Sequence, residues 1–268
     1  MEIVDGRRLA EKIKQQVAEE ISKLSVKPKL GILACNPNRE TKAYLDLKQK
    51  IAKSLGVEVV LQVLEADSDT DMVIRQVNHL VSACDGVIVQ LPLPVHVDTS
   101  EVLKQVPKNK DVDAFYYQGG ETTVLPPVVG AIDAISSEYG TDWVGKRVVI
   151  FGAGRLVGLP ASFYAKTKGA QVQVIDKGHN ESEVKMATAS ADIIILGAGQ
   201  PNLLTPDLVK PGAVVFDAGA SEDGGLLVGD AHKDVALKAS LFTPVPGGIG
   251  PITIAILFRN LLNLKSSQ

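Results

Sequence analysis

Aromatic residues are scarce, with six Phe, five Tyr and one Trp in 268 residues, too few to build the stacking surface that holds single-stranded nucleic acid. Excess charge of either sign is missing too. Lys and Arg number 28 against 31 Asp and Glu, and both signs are scattered along the chain, so no basic stripe argues for a nucleic-acid partner. The only cysteines, Cys35 and Cys84, lie far apart in apolar runs. That excludes a disulfide scaffold and reads as two buried free thiols in a reducing compartment. The start, MEIVDGRR, has no apolar signal core, and no uninterrupted apolar run approaches the ~20 residues of a membrane span. The four histidines (His79, His96, His179 and His232) are dispersed, no His/Cys/Asp grouping has metal spacing, and no Gly-x-Ser-x-Gly elbow occurs. Neither a metal nor a serine nucleophile is expected. No internal repeat or low-complexity tract interrupts the chain. These absences leave a soluble cytoplasmic protein with no membrane and no nucleic acid to bind.

What is present is organised around Arg147 to Pro160, RVVIFGAGRLVGLP. Val148 to Phe151 is a short apolar run led by charge, which reads as a buried parallel strand. Gly152, Gly154 and Gly158 follow, and Leu156 to Ala165 can run as a helix. Strand, glycine turn and helix bring backbone N–H groups and a positive helix end up to a pyrophosphate. Gly152, Ala153, Gly154, Arg155, Val157 and Gly158 are therefore the candidate coenzyme contacts, although G-x-G-x-x-x-G is one residue longer than the usual fingerprint. The next strand, Gln171 to Ile175, leads into Asp176 and Lys177. An acidic residue about 20 residues beyond the glycines is placed to bond both ribose hydroxyls of an adenosine, and its charge disfavours a 2′-phosphate. NAD is the expected coenzyme. The plain alternative is a tight turn with a solvated Asp at a strand end.

Along the rest of the chain strands and helices alternate, which implies parallel sheets with helices on both faces. Asp5 can cap a helix with Leu9, Ile13, Val17 and Ile21 inward. Lys29 to Cys35 is a strand, a helix then carries Tyr44, Leu47, Lys48, Ile51 and Leu55, and Val57 to Leu64 is a strand. A helix from Asp67 to Ala83 turns Met72, Val73, Val77, Leu80 and Val81 inward, and the strand Asp85 to Pro94 ends in prolines. A helix from about Val128 to Tyr139 leads to the glycine-bearing half. Strands follow at Asp192 to Leu196, at Ala213 to Phe216 (with Ala220 in the turn beyond it, a further coenzyme contact) and at Ser240 to Val245. An amphipathic helix, Ile252 to Leu264, closes the chain. Residues just past each strand line the ligand crevice in such sheets.

Tyr44 and Lys48 stand i, i+4 on one helix and point the same way. A lysine on a helix is usually solvated, but this face also holds Ile51 and Leu55. A lysine in a poorly solvated cleft has its pKa lowered and becomes usable as a proton shuttle. Gln90 closes an apolar strand before Leu91, either as a strand cap or as a site ligand. Asp111 and Asp113 flank Val112 on one side of an extended segment, one reaching the cleft and the other anchoring the loop. TPVPGGIGPIT, from Thr243 to Thr253, packs three prolines and three glycines into a rigid path.

Four of these stretches, TKAYLDLK (Thr41 to Lys48), VQLPLP (Val89 to Pro94), KDVD (Lys110 to Asp113) and TPVPGGIGPIT, resemble in order and spacing the bifunctional methylenetetrahydrofolate dehydrogenase/methenyltetrahydrofolate cyclohydrolase family. The resemblance implies a two-domain α/β enzyme. Its parts would be an N-terminal parallel α/β folate domain (1–125), a Rossmann-type dinucleotide-binding domain (126–250) and a closing helix (251–268) that packs back on the first. It implies a homodimer and tetrahydrofolate derivatives as substrates. Hydride would pass from 5,10-methylenetetrahydrofolate to the nicotinamide, and water would open the methenyl product to 10-formyltetrahydrofolate. By position, Lys48 would assist proton transfer, Gln90 would orient its amine, Tyr44 would stack on the folate rings, and Asp113 would bond the pterin amine and ring N–H. Leu91 and the Pro246-Gly247-Gly248 loop would complete the substrate contacts.

The chain departs from the family at four places. GAGRLVGLP stands where the family commonly reads G-R-S-x-x-V-G-x-P, and Asp176-Lys177 stands where a His-Ser pair is common. Both changes remove groups that help hold an NADP phosphate, while Arg155 and Lys177 leave NADP open as a second coenzyme. Ala114 follows KDVD where glycine is usual, and Leu125-Pro126-Pro127-Val128 replaces a P-C-T-P-like segment. Two rival readings follow from such changes: a dehydrogenase whose cyclohydrolase activity has faded, and a divergent dinucleotide-binding module without folate turnover.

Overall fold

Strand-length apolar runs pair into two parallel sheets, and the longer apolar run near the end of the chain forms a buried helix. In chain order the elements are β1 (Glu2–Ile3), α1 (Gly6–Ser22), β2 (Lys29–Cys35), α2 (Arg39–Leu55), β3 (Glu58–Leu64), α3 (Thr70–Ala83), β4 (Gly86–Val89), α4 (Thr99–Lys104) and α5 (Pro127–Tyr139). Then come β5 (Arg147–Phe151), α6 (Gly158–Thr167), β6 (Gln171–Ile175), α7 (Glu181–Ala189), β7 (Ile193–Leu196), β8 (Val214–Asp217), β9 (Ser221–Asp223), β10 (Leu226–Val228), β11 (Leu241–Phe242) and α8 (Ile249–Ser266). The computed structural model describes residues 1–267, Glu40 by its backbone alone. Among them no helix is long and apolar enough to cross a membrane.

The chain divides into two compact units: Lys12–Tyr116 with Ile254–Gln268, here the lysine unit, and Met1–Glu11 with Tyr117–Thr253, the glycine unit. Like the expected parts, 1–125 with 251–268 and 126–250, this division groups the closing helix with the N-terminal unit, but it places the first eleven residues and 117–125 in the glycine unit. The first residues join the glycine unit because β1 pairs in parallel with β11, and the Glu2 N–H donates to the Ser240 carbonyl.

In the lysine unit the strand order is β3-β2-β4, all parallel, with a bridge from Val87 to Asp111 carrying the edge further. Central β2 is flanked on both sides, so Leu30, Ile32 and Leu33 are fully buried. Asn38 caps α2 by accepting the Thr41 N–H, and Gly56 ends it in the left-handed conformation that glycine adopts without strain. The last helix supplies Leu261, which with Val112 leaves no room for a Cβ at Gly86. It also supplies Asn260, which donates to the Val112 carbonyl at 2.9 Å, and Lys265, 3.0 Å from Asp85.

In the glycine unit six parallel strands run β1-β11-β8-β7-β5-β6, and β9 with β10 forms an antiparallel hairpin. From β5 the chain adds β6 on one side and then β7 on the other, so the strand order reverses between β5 and β7, the switch point where such sheets bind ligands. Val149, Phe151, Ile194, Leu196 and Val215 form the core there.

Several expected boundaries move. Helix α6 starts at Gly158, because Arg155 to Val157 form a turn rather than the first helical residues. Helix α3 starts at Thr70, where Asp69 accepts the Met72 N–H, and that start leaves Met72 at 40% exposure instead of inward. Strand β4 stops at Val89 and β11 at Phe242, each before its proline-rich segment. The closing helix begins at Ile249 and is buried on almost every side, so it is a core helix and not an amphipathic one.

Candidate active site

The lysine unit gathers four of the expected residues. Helix α2 brings Lys48 and Tyr44 to one face, the end of β4 delivers Gln90, and the loop after the Asp111 bridge delivers Asp113. Lys48 is 4% exposed. Its Nζ donates to Gln90 Oε1 at 2.9 Å and lies over the Tyr44 ring, 4.9 Å from the centroid. Gln90 Nε2 donates to the Leu91 carbonyl at 2.9 Å, which fixes the amide so that its oxygen faces the lysine. Burying an ammonium costs several kcal/mol unless it is compensated. A neutral amide and a ring face compensate only in part, and burial accordingly lowers the Lys48 pKa, with the charge of Asp113 opposing. Burial raises the half-buried Asp113 carboxyl, and Lys48 pulls it back down. The Tyr44 ring keeps 37% exposure, yet burial around its hydroxyl, with Asp113 adding, pushes its pKa up to about 12. The result is an amine that gives up its proton more readily than a solvated lysine.

The two aspartates take different parts. Asp111 Oδ2 accepts the Phe115 N–H at 2.6 Å and anchors the loop, while Oδ1 is buried without a hydrogen-bond partner. Burial, with Asp113 adding, pushes Asp111 up to about 7. Asp113 is the one coupled to Lys48. Ala114, next to it, is buried at φ 52, a left-handed conformation that costs a non-glycine residue about 1 kcal/mol. A glycine at this position would meet the same backbone demand without that cost. Pro126 and Pro127 open α5, where a missing N–H costs nothing.

In the glycine unit the geometry comes from absent side chains. A Cβ on Gly158 would lie 1.7 Å from the Gly152 carbonyl oxygen, and one on Gly152 (φ +92) 2.7 Å from that of Gly197. A Cβ at Gly197 would meet Val157 at 2.4 Å. The three glycines let the turn after β5, the start of α6 and the loop after β7 close on one another. Gly154 differs, since a Cβ there meets no protein atom. The turn therefore leaves backbone accessible at the helix end, which fits a dinucleotide pyrophosphate. Ala153 and Arg155 in the turn are exposed, as are Lys177 beyond β6 and Ala220 beyond β8. Asp176, also exposed, follows β6, the strand beside β5. Its Oδ1 accepts the Gly178 N–H at 3.0 Å and lies 3.0 Å from His179 Nδ1, and the two lower its pKa in that order. Pro246, Gly247 and Gly248 belong to this unit. The Gly6 N–H donates to the Gly247 carbonyl and the Gly248 N–H to that of Pro244. Among the described residues no group of three or more His, Cys, Asp or Glu can hold a metal ion.

Two family models cover the chain: "Tetrahydrofolate dehydrogenase/cyclohydrolase, catalytic domain" matches residues 4–113, and the "NAD(P)-binding domain" of the same name matches 126–268. The chain belongs to the tetrahydrofolate dehydrogenase/cyclohydrolase family. Among curated relatives, the bifunctional protein FolD of Sulfurihydrogenibium sp. is 36% identical over 98% of this chain and 97% of its own. Among solved structures, the Campylobacter jejuni bifunctional FolD is 32% identical at a TM-score of 0.94, covering 99% of this chain and 98% of that one. The Trypanosoma brucei enzyme, solved with NADP and an inhibitor, is 30% identical at 0.92, covering 99% and 97%. Family membership accounts for the paired architecture of a lysine cluster and a glycine crevice. It does not by itself point to two further residues that the motifs also miss, the buried Asp217 and Asp230.

Proposed function

We propose that this chain oxidises 5,10-methylenetetrahydrofolate to the methenyl form with NAD(P) and hydrolyses that product to 10-formyltetrahydrofolate, with Lys48 as the proton carrier of the second step. The observation that carries this reading is the buried Lys48 amine held by Gln90 beside Tyr44 and Asp113.

In the hydrolysis the neutral Lys48 amine accepts a proton from water as its oxygen bonds the methenyl carbon. The resulting ammonium gives that proton to the ring nitrogen as the carbon–nitrogen bond breaks, and the remaining hydroxyl proton is lost to solvent as the formyl C=O forms. Gln90 fixes the amine by its Oε1. Tyr44 stacks against the folate rings, Leu91 borders them, and Asp113 accepts the pterin amine and ring N–H. Pro246, Gly247 and Gly248 are the remaining substrate contacts. A bound nicotinamide supplies the hydride acceptor for the oxidation. The chain's own contribution to that step is orientation, which needs no acid or base. Gly152, Ala153, Gly154, Arg155, Val157, Gly158 and Ala220 border the coenzyme. Asp176 accepts both ribose hydroxyls and repels a 2′-phosphate, so NAD is preferred over NADP. Two buried free thiols favour a cytoplasmic setting, and the family resemblance favours a homodimer.

Turnover with 5,10-methylenetetrahydrofolate, followed by nicotinamide absorbance, tests the reading. NAD is expected to be used well above NADP. Asp176→Ser is expected to narrow the preference about tenfold, since it removes the charge that repels a 2′-phosphate. An unchanged preference removes Asp176 from the ribose, and no turnover with either coenzyme removes the substrate.

A further inference from the structure

Two buried aspartates beneath the crevice take no part in hydride or proton transfer. Asp217 ends β8 and is 1% exposed, and Asp230 follows β10 at 0%. Asp230 Oδ2 accepts the N–H groups of Ala198 at 2.7 Å and Gly199 at 3.1 Å, while Oδ1 accepts that of Gln200 at 2.8 Å. Asp217 Oδ1 accepts the N–H groups of Gly219 at 2.9 Å and of Asp230 itself at 3.1 Å, and Oδ2 accepts that of Ala231 at 2.8 Å. Oriented backbone donors of this kind stabilise a buried anion without a cation.

The packing is reciprocal. A Cβ on Gly219, two residues after Asp217, would lie 2.3 Å from Asp230 Cγ, and one on Gly229, just before Asp230, would lie 2.1 Å from Asp217 Oδ2. Each carboxylate occupies space that a glycine near the other leaves open. The segment so held, 198–200, continues from Gly197, whose carbonyl oxygen closes against Gly152 and whose Cα abuts Val157. It borders the switch point between β5 and β7.

We propose that Asp230 is a positioning residue for the dinucleotide: it holds the 198–200 backbone against the glycine turn, and Asp217 holds Asp230 in turn. The inference rests on the dinucleotide reading above and deepens it. A carboxylate accepts on both oxygens, whereas an asparagine presents one acceptor and one N–H₂ group. Asp230→Asn therefore turns a donor toward at least one N–H of the segment.

The test is NADH titration by fluorescence, with KM for NAD and kcat, on wild type, Asp230→Asn and Asp230→Glu. Asp230→Asn is expected to raise both the NADH Kd and the KM for NAD about tenfold or more, the effect of leaving a buried donor unpaired, with a smaller change in kcat. Asp230→Glu keeps both acceptors and is expected to fall between wild type and Asn; it decides the matter if the Asn variant does not melt cooperatively. Wild-type affinity in Asp230→Asn, or a loss of kcat at unchanged KM in both variants, overturns the proposal. A wild type that binds no NADH overturns the dinucleotide reading itself, and this inference with it.

Discussion

The lysine cluster and the glycine crevice solve opposite problems. The first is built from side chains and depends on one proton: Lys48 is enclosed by Gln90, Tyr44 and Asp113, and burial tunes its amine. The second is built from backbone and depends on what is missing. Gly152, Gly158 and Gly197 bring three segments within van der Waals reach, and the residues around the opening are exposed. A site of the first kind is sensitive to chemistry at one atom, and a site of the second kind to a fraction of an ångström in the main chain.

Substitutions at the two sites sharpen that contrast. The largest effect is expected from Lys48→Ala, which should lower the hydrolysis of methenyltetrahydrofolate about 10³-fold, the scale of a lost acid–base group, and leave NADH binding intact. Equal loss of both would make Lys48 a packing residue and dissolve the comparison. Gly158→Ala comes next. Its Cβ would overlap the Gly152 carbonyl oxygen, at a cost of about 3 kcal/mol, with NADH affinity falling alongside the melting temperature. Wild-type affinity in that variant would mean that the close approach is not needed for binding.

The smallest effect is a pH slope in the lysine unit. The folded-state pKa of Asp111 is raised to about 7 from 3.8, chiefly by burial. The folded chain thus keeps a proton that the unfolded chain releases, so this stability is full below pH of about 4 and is lost as pH rises through about 7. Asp111→Asn holds the shape without the proton. It should melt with a shallower decline between about pH 5 and pH 8, by an amount of order 1–3 kcal/mol. The slope is lessened rather than abolished, since Asp217, raised to about 6 by burial, contributes in the same direction. An identical decline in the variant would show that Asp111 carries no such proton.

The motifs were legible because they are local. Tyr44 and Lys48 share a helix face by spacing alone, Gln90 ends an apolar run, and the glycines follow β5 directly. Strand centres were legible for the same reason, and β2 and β6 match their expected bounds residue for residue. What escaped reading depends on distant partners. Strand β1 has two residues, too few for any period, and it exists because β11 lies beside it. Asp230 looks like an ordinary loop acid until Ala198, Gly199 and Gln200, about thirty residues away, turn their N–H groups toward it. Met72 misled because an apolar residue in the first turn of a helix faces wherever the cap sets the phase, and Asp69 set it outward.

The last helix has a consequence for the order in which the molecule is made. Asn260 and Leu261 complete the neighbourhood of Val112 and Gly86, next to the loop that presents Asp113. Those two residues leave the ribosome after the 137 residues of 117–253. At about 10 residues per second that interval lasts roughly 14 seconds. Tyr44, Lys48, Gln90 and Asp113 are thus synthesised early, yet the loop that presents Asp113 lacks its packing partners until Asn260 and Leu261 have been made. A ribosome stalled anywhere in 117–253 carries a nascent chain with every residue of the lysine cluster and no closed site.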